Sequence, residues 1–194
     1  MGRLQMAVLT AVLLALGVTP ARADGFFTPF YGYNFGGDSS NCPTINDCED
    51  KRANFGVSFG KMGAVFGFEE DIAFAKDFFG TIPNTDNSVF SAMSNLLIGV
   101  GRGPVQPYLL VGAGLIRTRT TLNLTQFNAE GNSLGYDLGG GVNGYFSRSV
   151  GIRADIRHLQ TLQDVPYIGN ITSKVFVSQK LDFWRASVGV SFKF

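Results

Sequence analysis

From Phe26 to the end of the chain, large apolar residues alternate with small or polar ones, the period-two signature of strands whose two faces meet different surroundings. In the first such segment Phe27, Pro29, Tyr31, Tyr33 and Phe35 oppose Thr28, Phe30, Gly32 and Asn34. The second sets Phe55, Val57 and Phe59 against Asn54, Gly56, Ser58 and Gly60, and the third Phe66, Phe68, Ile72 and Phe74 against Glu69, Asp71, Ala73 and Ala75. Leu96 and Ile98, then Leu109, Val111, Ala113 and Leu115, then Leu134, Tyr136, Leu138 and Val142 carry the fourth to sixth. The seventh places Ile152, Ala154 and Ile156 opposite Arg153, Asp155 and Arg157; the last places Trp184, Val188, Val190, Phe192 and Phe194 opposite Arg185, Ser187, Gly189 and Ser191. Short turns are expected near 60–63, 101–106 and 147–149, and long connections near 36–51, 77–88, 119–133 and 159–179. Eight antiparallel strands in up-and-down order, with short turns at one end and long loops at the other, follow.

Which face lies inside is decided by the company each keeps. A soluble eight-stranded barrel of the lipocalin kind fills its interior with large apolar residues. Here the opposite face holds Gly, Ser, Asn and charges, and glycines facing water would only weaken the strands. With lipid outside, the apolar row meets acyl chains and the small and charged residues fill a narrow lumen. Glu70 interrupts the apolar row, marking either a bulge or the edge of the apolar band. The fold class expected is therefore all-β, an eight-stranded antiparallel up-and-down transmembrane β-barrel.

The first residues read differently. Arg3 precedes an unbroken apolar run over 6–18, and Ala21-Arg22-Ala23 forms an A-x-A cleavage pattern before Asp24. This is a secretory signal peptide over 1–23, too short to span a bilayer as a helix, leaving 24–194 as the barrel domain. Only helices and closed barrels satisfy every backbone group in lipid, and no later stretch is long and apolar enough for a helix. Composition agrees: 25 Gly, 18 Phe and 45% hydrophobic residues stand beside only 16% charged, where soluble domains carry about 25%. Sixteen basic against 15 acidic residues exclude a basic nucleic-acid-binding domain and an acidic disordered chain. Two cysteines and one histidine exclude a zinc-finger or iron–sulfur scaffold.

The closing Ser-Val-Gly-Val-Ser-Phe-Lys-Phe resembles the C-terminal assembly signal of outer-membrane proteins, with Phe192 and Phe194 at its end. Pro107-Tyr108-Leu109-Leu110-Val111-Gly112-Ala113-Gly114, Gly139-Gly140-Gly141-Val142 and Val150-Gly151-Ile152-Arg153-Ala154-Asp155-Ile156-Arg157 are similar to Gly-rich strands of small outer-membrane barrels of the OmpA/OmpW-like superfamily. The resemblance covers nearly all of 24–194. It implies a bacterial outer-membrane location, contact with outer-membrane lipids and lipopolysaccharide, and insertion by the barrel-assembly machinery. A monomer with no nucleic-acid partner is expected. No peptidoglycan-binding domain is expected after the last strand, which sets aside a cell-wall tether.

The candidate site is the inner charge set: Glu69, Asp71, Asp137, Arg153, Asp155 and Arg157. The third and seventh strands of an eight-stranded barrel lie on opposite walls, so Glu69 and Asp71 can face Arg153 and Arg157. Unpaired charges there would be costly, so pairing is expected. A static network would plug the barrel; re-pairing of an arginine would instead gate a narrow ion path. Cys42 and Cys48 lie in the first long loop, and an oxidising periplasm favours a disulfide, stabilising by about 2 kcal/mol. Two thiols with no nearby His make a poor metal site, and no metal or cofactor is expected. His158, the single histidine, has no serine two or four residues away and reads as an interfacial residue, so no catalytic residue is assigned. Trp184, Tyr31, Tyr33, Tyr136, Phe146, Phe192 and Phe194 read as aromatic girdles. Three functions follow in order: a structural or loop-presenting barrel, a narrow passage for small apolar or ionic solutes, and a lipid A-modifying enzyme. A general porin is excluded, since its 16–18 strands need a longer chain.

Overall fold

A computed structural model describes residues 24–39, 51–79, 85–122, 127–163, 165–169 and 175–194. Its strands are β1 (Asp24–Phe35), β2 (Lys51–Met62), β3 (Phe66–Lys76), β4 (Thr85–Gly99), β5 (Val105–Leu122), β6 (Phe127–Tyr145), β7 (Val150–Thr161), β8 (Val165–Gly169), β9 (Val175–Gln179) and β10 (Asp182–Lys193). Eight of them close a barrel in the order β1-β10-β7-β6-β5-β4-β3-β2, every pair antiparallel, and β8 and β9 form a separate hairpin. The eight barrel strands are the eight that alternation marks out. Their burial follows the sequence pattern: Thr28, Asn54, Ser58, Glu69, Asp71 and Arg157 are sealed inside, whereas Phe55, Phe66, Leu109, Ile152 and Val188 are exposed on the outer wall. That outer wall is apolar because its solvent is hydrocarbon.

The seam between β1 and β10 closes the cylinder. Gly25 and Phe194 exchange backbone hydrogen bonds of 2.9 Å in both directions. Lys193 reaches Asp24 at 2.5 Å beside it. Farther along, pairing stops after Phe27↔Phe192 and resumes at Phe30↔Gly189. The carbonyl of Pro29 faces Gly189 there. In an antiparallel ladder a residue's N–H points the same way as its carbonyl, so the N–H that proline lacks is one the seam would have used.

The boundaries differ from expectation where the outward face of a strand turns polar, as at Lys61, Asp86 and Arg117. The first short turn lies at 63–65, because Gly60, Lys61 and Met62 remain paired with Glu69, Phe68 and Gly67 and Gly63 N–H closes onto the Phe66 carbonyl at 2.8 Å. Most of the segment expected as a loop over 119–133 is instead ladder: β5 and β6 stay paired from Val105↔Gly144 to Leu122↔Phe127. Their outer halves stand beyond the apolar band, so no lipid contrast marks them in the sequence. β4 likewise begins at Thr85, inside the expected connection 77–88. Glu70 marks neither a bulge nor an edge. Pairing runs unbroken through Phe68↔Leu96, Glu69↔Asn95 and Glu70↔Ser94, so Glu70 faces outward between Phe68 and Ile72. Ser94 donates to its two oxygens at 3.0 and 2.8 Å, which supplies the partner a carboxyl there requires.

Candidate functional site: the lumen and its charge layer

Side chains fill the barrel in three layers. At the loop end Ala75, Phe78, Phe79, Val89, Met93, Ile116, Leu159, Leu181 and Phe183 form an apolar cap. Asp77 turns with φ 52°, a left-handed conformation that sends Phe78 and Phe79 back over the lumen. Asn87 holds that turn, its carbonyl accepting from Asp77 N–H at 2.8 Å and its Oδ1 from Phe79 N–H at 2.8 Å. Phe78 packs edge-on against Phe79 and Phe183, with centroids 5.1 and 4.8 Å apart. At the turn end Phe26, Leu97, Tyr108 and Leu110 form a second apolar layer with Met62 against it. A recess beside it, lined in part by Gln106, Asn143 and Tyr145, has room for about one water molecule.

Between the two layers lies the charge set. β3 contributes Glu69 and Asp71, β6 Asp137, and β7 Arg153, Asp155 and Arg157. Arg153 Nη1 meets Glu69 Oε2 at 2.5 Å across the barrel. Its Nε donates to Tyr108 Oη at 2.7 Å and to Asp155 at 3.1 Å, while Tyr108 Oη donates to Asp155 at 3.0 Å. The Arg153 guanidinium also lies over the Tyr108 ring, 4.6 Å from its centroid, so this cation uses both the edge and the face of its neighbours. Arg157 is the hub: its Nη1 lies 2.9 Å from Glu69 and 3.3 Å from Asp71, and its Nε and Nη2 both donate to Asp155 at 3.0 Å. Asp137 stands farther out, 3.7 Å from Arg157. The glycine at 141 makes this crowding feasible, since a Cβ there would collide with Tyr108 Oη and with Asp155.

The structure thus brings all six candidate residues into one layer and adds members that the pattern alone did not single out. Arg185 on β10 pairs with Asp71 and lies over the Phe30 ring at 5.2 Å. Ser58 donates to Asp71 at 2.8 Å, Ser187 to Asp155 at 3.0 Å, and Asn95 to Glu69 at 3.1 Å. Arg185 shares the inner parity of Ser187, Gly189 and Ser191, and that parity was the available signal. Phe78 and Phe79 lie beyond the end of β3 and carry no such signal.

Other candidates lie apart from the lumen. His158 sits on the outer wall near the loop end, its Nε2 2.7 Å from Asp182 Oδ1 and its ring 4.9 Å from that of Trp184. Among the described residues no serine joins this pair. Phe192 and Phe194 lie on the outer face at the turn end, and Tyr33 and Trp184 on the outer face toward the loops. Residues 1–23 and the pair Cys42 and Cys48 lie outside the described residues.

A closed eight-stranded barrel, apolar without and charged within, belongs to the class of membrane barrels that cross with strands rather than helices. The chain belongs to the outer membrane protein beta-barrel domain family, whose model matches residues 8–194, and its place is the bacterial outer membrane. Comparison with curated proteins returns no match. Among solved structures it is similar to neisserial surface protein A, at 18% identity over 88% of this chain and 97% of that one, with a TM-score of 0.61. OprG of Pseudomonas aeruginosa follows at 16% identity, covering 89% and 96%, with a TM-score of 0.58. Ail, the attachment invasion locus protein of Yersinia pestis, is 12% identical, covering 90% and 99%, with a TM-score of 0.53. At such identities the shared property is the fold.

Proposed function

We propose that this protein is a sealed outer-membrane barrel with a structural or interaction role, which supports the envelope and presents its loops outside. The observation that carries the reading is the packed lumen: two apolar layers enclose a cross-linked charge layer. Solute passage would have to displace Phe78, Leu181 and Phe183 at one end and Phe26 and Tyr108 at the other, besides parting Arg157 from its carboxylates. Residues 1–23 direct export and are cleaved. Phe192 and Phe194 serve insertion by the barrel-assembly machinery, and the mature chain is a monomer among outer-membrane lipids and lipopolysaccharide. We assign it no enzymatic activity and read His158, whose Nε2 lies 2.7 Å from Asp182 Oδ1, as an interfacial residue. The outward β5–β6 hairpin, with Arg117 and Arg119 exposed on it, is the part best placed to meet a partner. A structural neighbour named for attachment is in keeping with that use.

Single-channel recording of the purified barrel in planar bilayers tests the sealed lumen. No conductance is expected in the wild type, and steady unitary currents would replace this reading with that of a passage barrel.

A further inference from the structure

Among the described residues that meet in it, the charge layer is one cation short. Four carboxyl groups, Glu69, Asp71, Asp137 and Asp155, face three guanidiniums, Arg153, Arg157 and Arg185, all buried or nearly so. The surplus falls at a particular place. Neither oxygen of Asp137 has a hydrogen-bond partner among the described residues, and neither does Asn95 Oδ1, although both residues are fully buried. The orientation of Asn95 is fixed by its amide nitrogen, which donates to Glu69, so its oxygen is left pointing the other way. Gly112 lies between: a Cβ there would collide with Asn95 Oδ1 and would stand 2.6 Å from Asp137 Oδ1. Two acceptors therefore share one glycine-made hollow with no donor between them. Buried acceptors facing each other repel unless something positive joins them.

We propose that Asp137 Oδ1 and Asn95 Oδ1 hold one monovalent cation in the hollow at Gly112, either a proton carried by the carboxyl or an alkali ion bridging both oxygens. The charged groups facing the site are Glu69 and Asp71 from β3, Arg157 from β7 and Arg185 from β10. Arg157 does not take the role where it stands: its Nη1 lies 3.7 Å from Asp137, beyond hydrogen-bond reach, and nearer to Glu69 at 2.9 Å, while its Nε engages Asp155. β5 contributes Gly112 and β4 the neutral Asn95, so neither supplies a charge. One bound cation balances the four carboxyls and satisfies the orphan oxygens in a single step. The site is independent of whether the barrel conducts.

The test uses the folded barrel in detergent micelles with 13C-labelled aspartate, the Asp137 carboxyl being assigned through its own backbone amide. At neutral pH a protonated Asp137 resonance identifies the proton as the occupant. An ionised Asp137 identifies the alkali ion, provided that replacing sodium by tetramethylammonium at constant ionic strength lowers the melting temperature. Asp137→Asn, which puts an amide donor where the cation sat, is expected to fold, to lose either signature and to melt no lower than the wild type. An ionised Asp137 with no dependence on the alkali ion overturns the proposal, as does an Asp137→Asn barrel that keeps the ion dependence.

Discussion

Three consecutive acids on β3 meet two different solvents. Glu69 and Asp71 point into the lumen, where Arg153, Arg157 and Arg185 hold them. Glu70, between them, points at lipid and is held by the hydroxyl of Ser94. One polypeptide segment thus solves the same problem, a carboxyl out of water, in two ways. Inside, a network of opposite charges and hydrogen bonds replaces hydration, and each group depends on several others. Outside, a single neutral donor serves a group that remains at the wall. The difference teaches that the stability of this barrel is concentrated in its interior, with the outer wall tolerant as long as it stays uncharged.

Arg157→Ala should break the inner side of the comparison and have the largest effect. It strips contacts from Glu69, Asp71 and Asp155 at once, and uncompensated buried charge typically costs about 3–5 kcal/mol. Urea unfolding in lipid vesicles would show it as a lowered midpoint. Ile72→Arg places a charge on the lipid side of the same strand, two residues from Glu70 and with no Ser94 of its own. A loss of about 2–4 kcal/mol is expected in the same assay. Ser94→Ala removes only the neutral donor from Glu70 and should cost about 1–3 kcal/mol. If Ser94→Ala proved as damaging as Arg157→Ala, the inner and outer solutions would not differ in kind.

How much of this could be read from the sequence depends on where lipid is. The eight barrel strands were legible because hydrocarbon on one side and a crowded lumen on the other impose strict alternation on residues such as Leu109, Val111, Gly112 and Gly114. The same parity placed Glu69, Asp71, Arg153 and Arg157 inside, and strand counting set β3 opposite β7. The outer halves of β5 and β6 were not legible, since their outward face carries Arg117 and Arg119 in place of apolar residues and their buried inward face carries Thr118 and Thr120, so both faces read as polar. Nor was the apolar cap, which depends on a left-handed turn at Asp77 that the sequence does not announce. The hollow at Gly112 needs a register between β4, β5 and β6 that alternation cannot supply.

The hairpin beyond the membrane offers a third carboxyl for the comparison, this one in water. Glu130 on β6 takes Arg117 Nη2 at 2.5 Å and Arg119 Nη2 at 2.7 Å, with all three side chains exposed. The two guanidiniums hold its carboxyl below the usual glutamate range. A carboxyl whose folded value is depressed contributes its stabilisation above the ordinary value and loses it as pH falls through the folded one. The clamp should therefore be complete at neutral pH and should fade only below the ordinary glutamate value of about 4.3. Exposed pairs are screened and contribute little, so Glu130→Gln should leave the melting temperature of the barrel unchanged. Its effect should appear only in the hairpin, as amide shifts and faster hydrogen exchange near Arg117 and Arg119, and raised salt should reproduce it. A global loss of stability in Glu130→Gln would mean that water, lumen and lipid treat these carboxyls alike, and the contrast drawn from Glu69, Glu70 and Asp71 would fail.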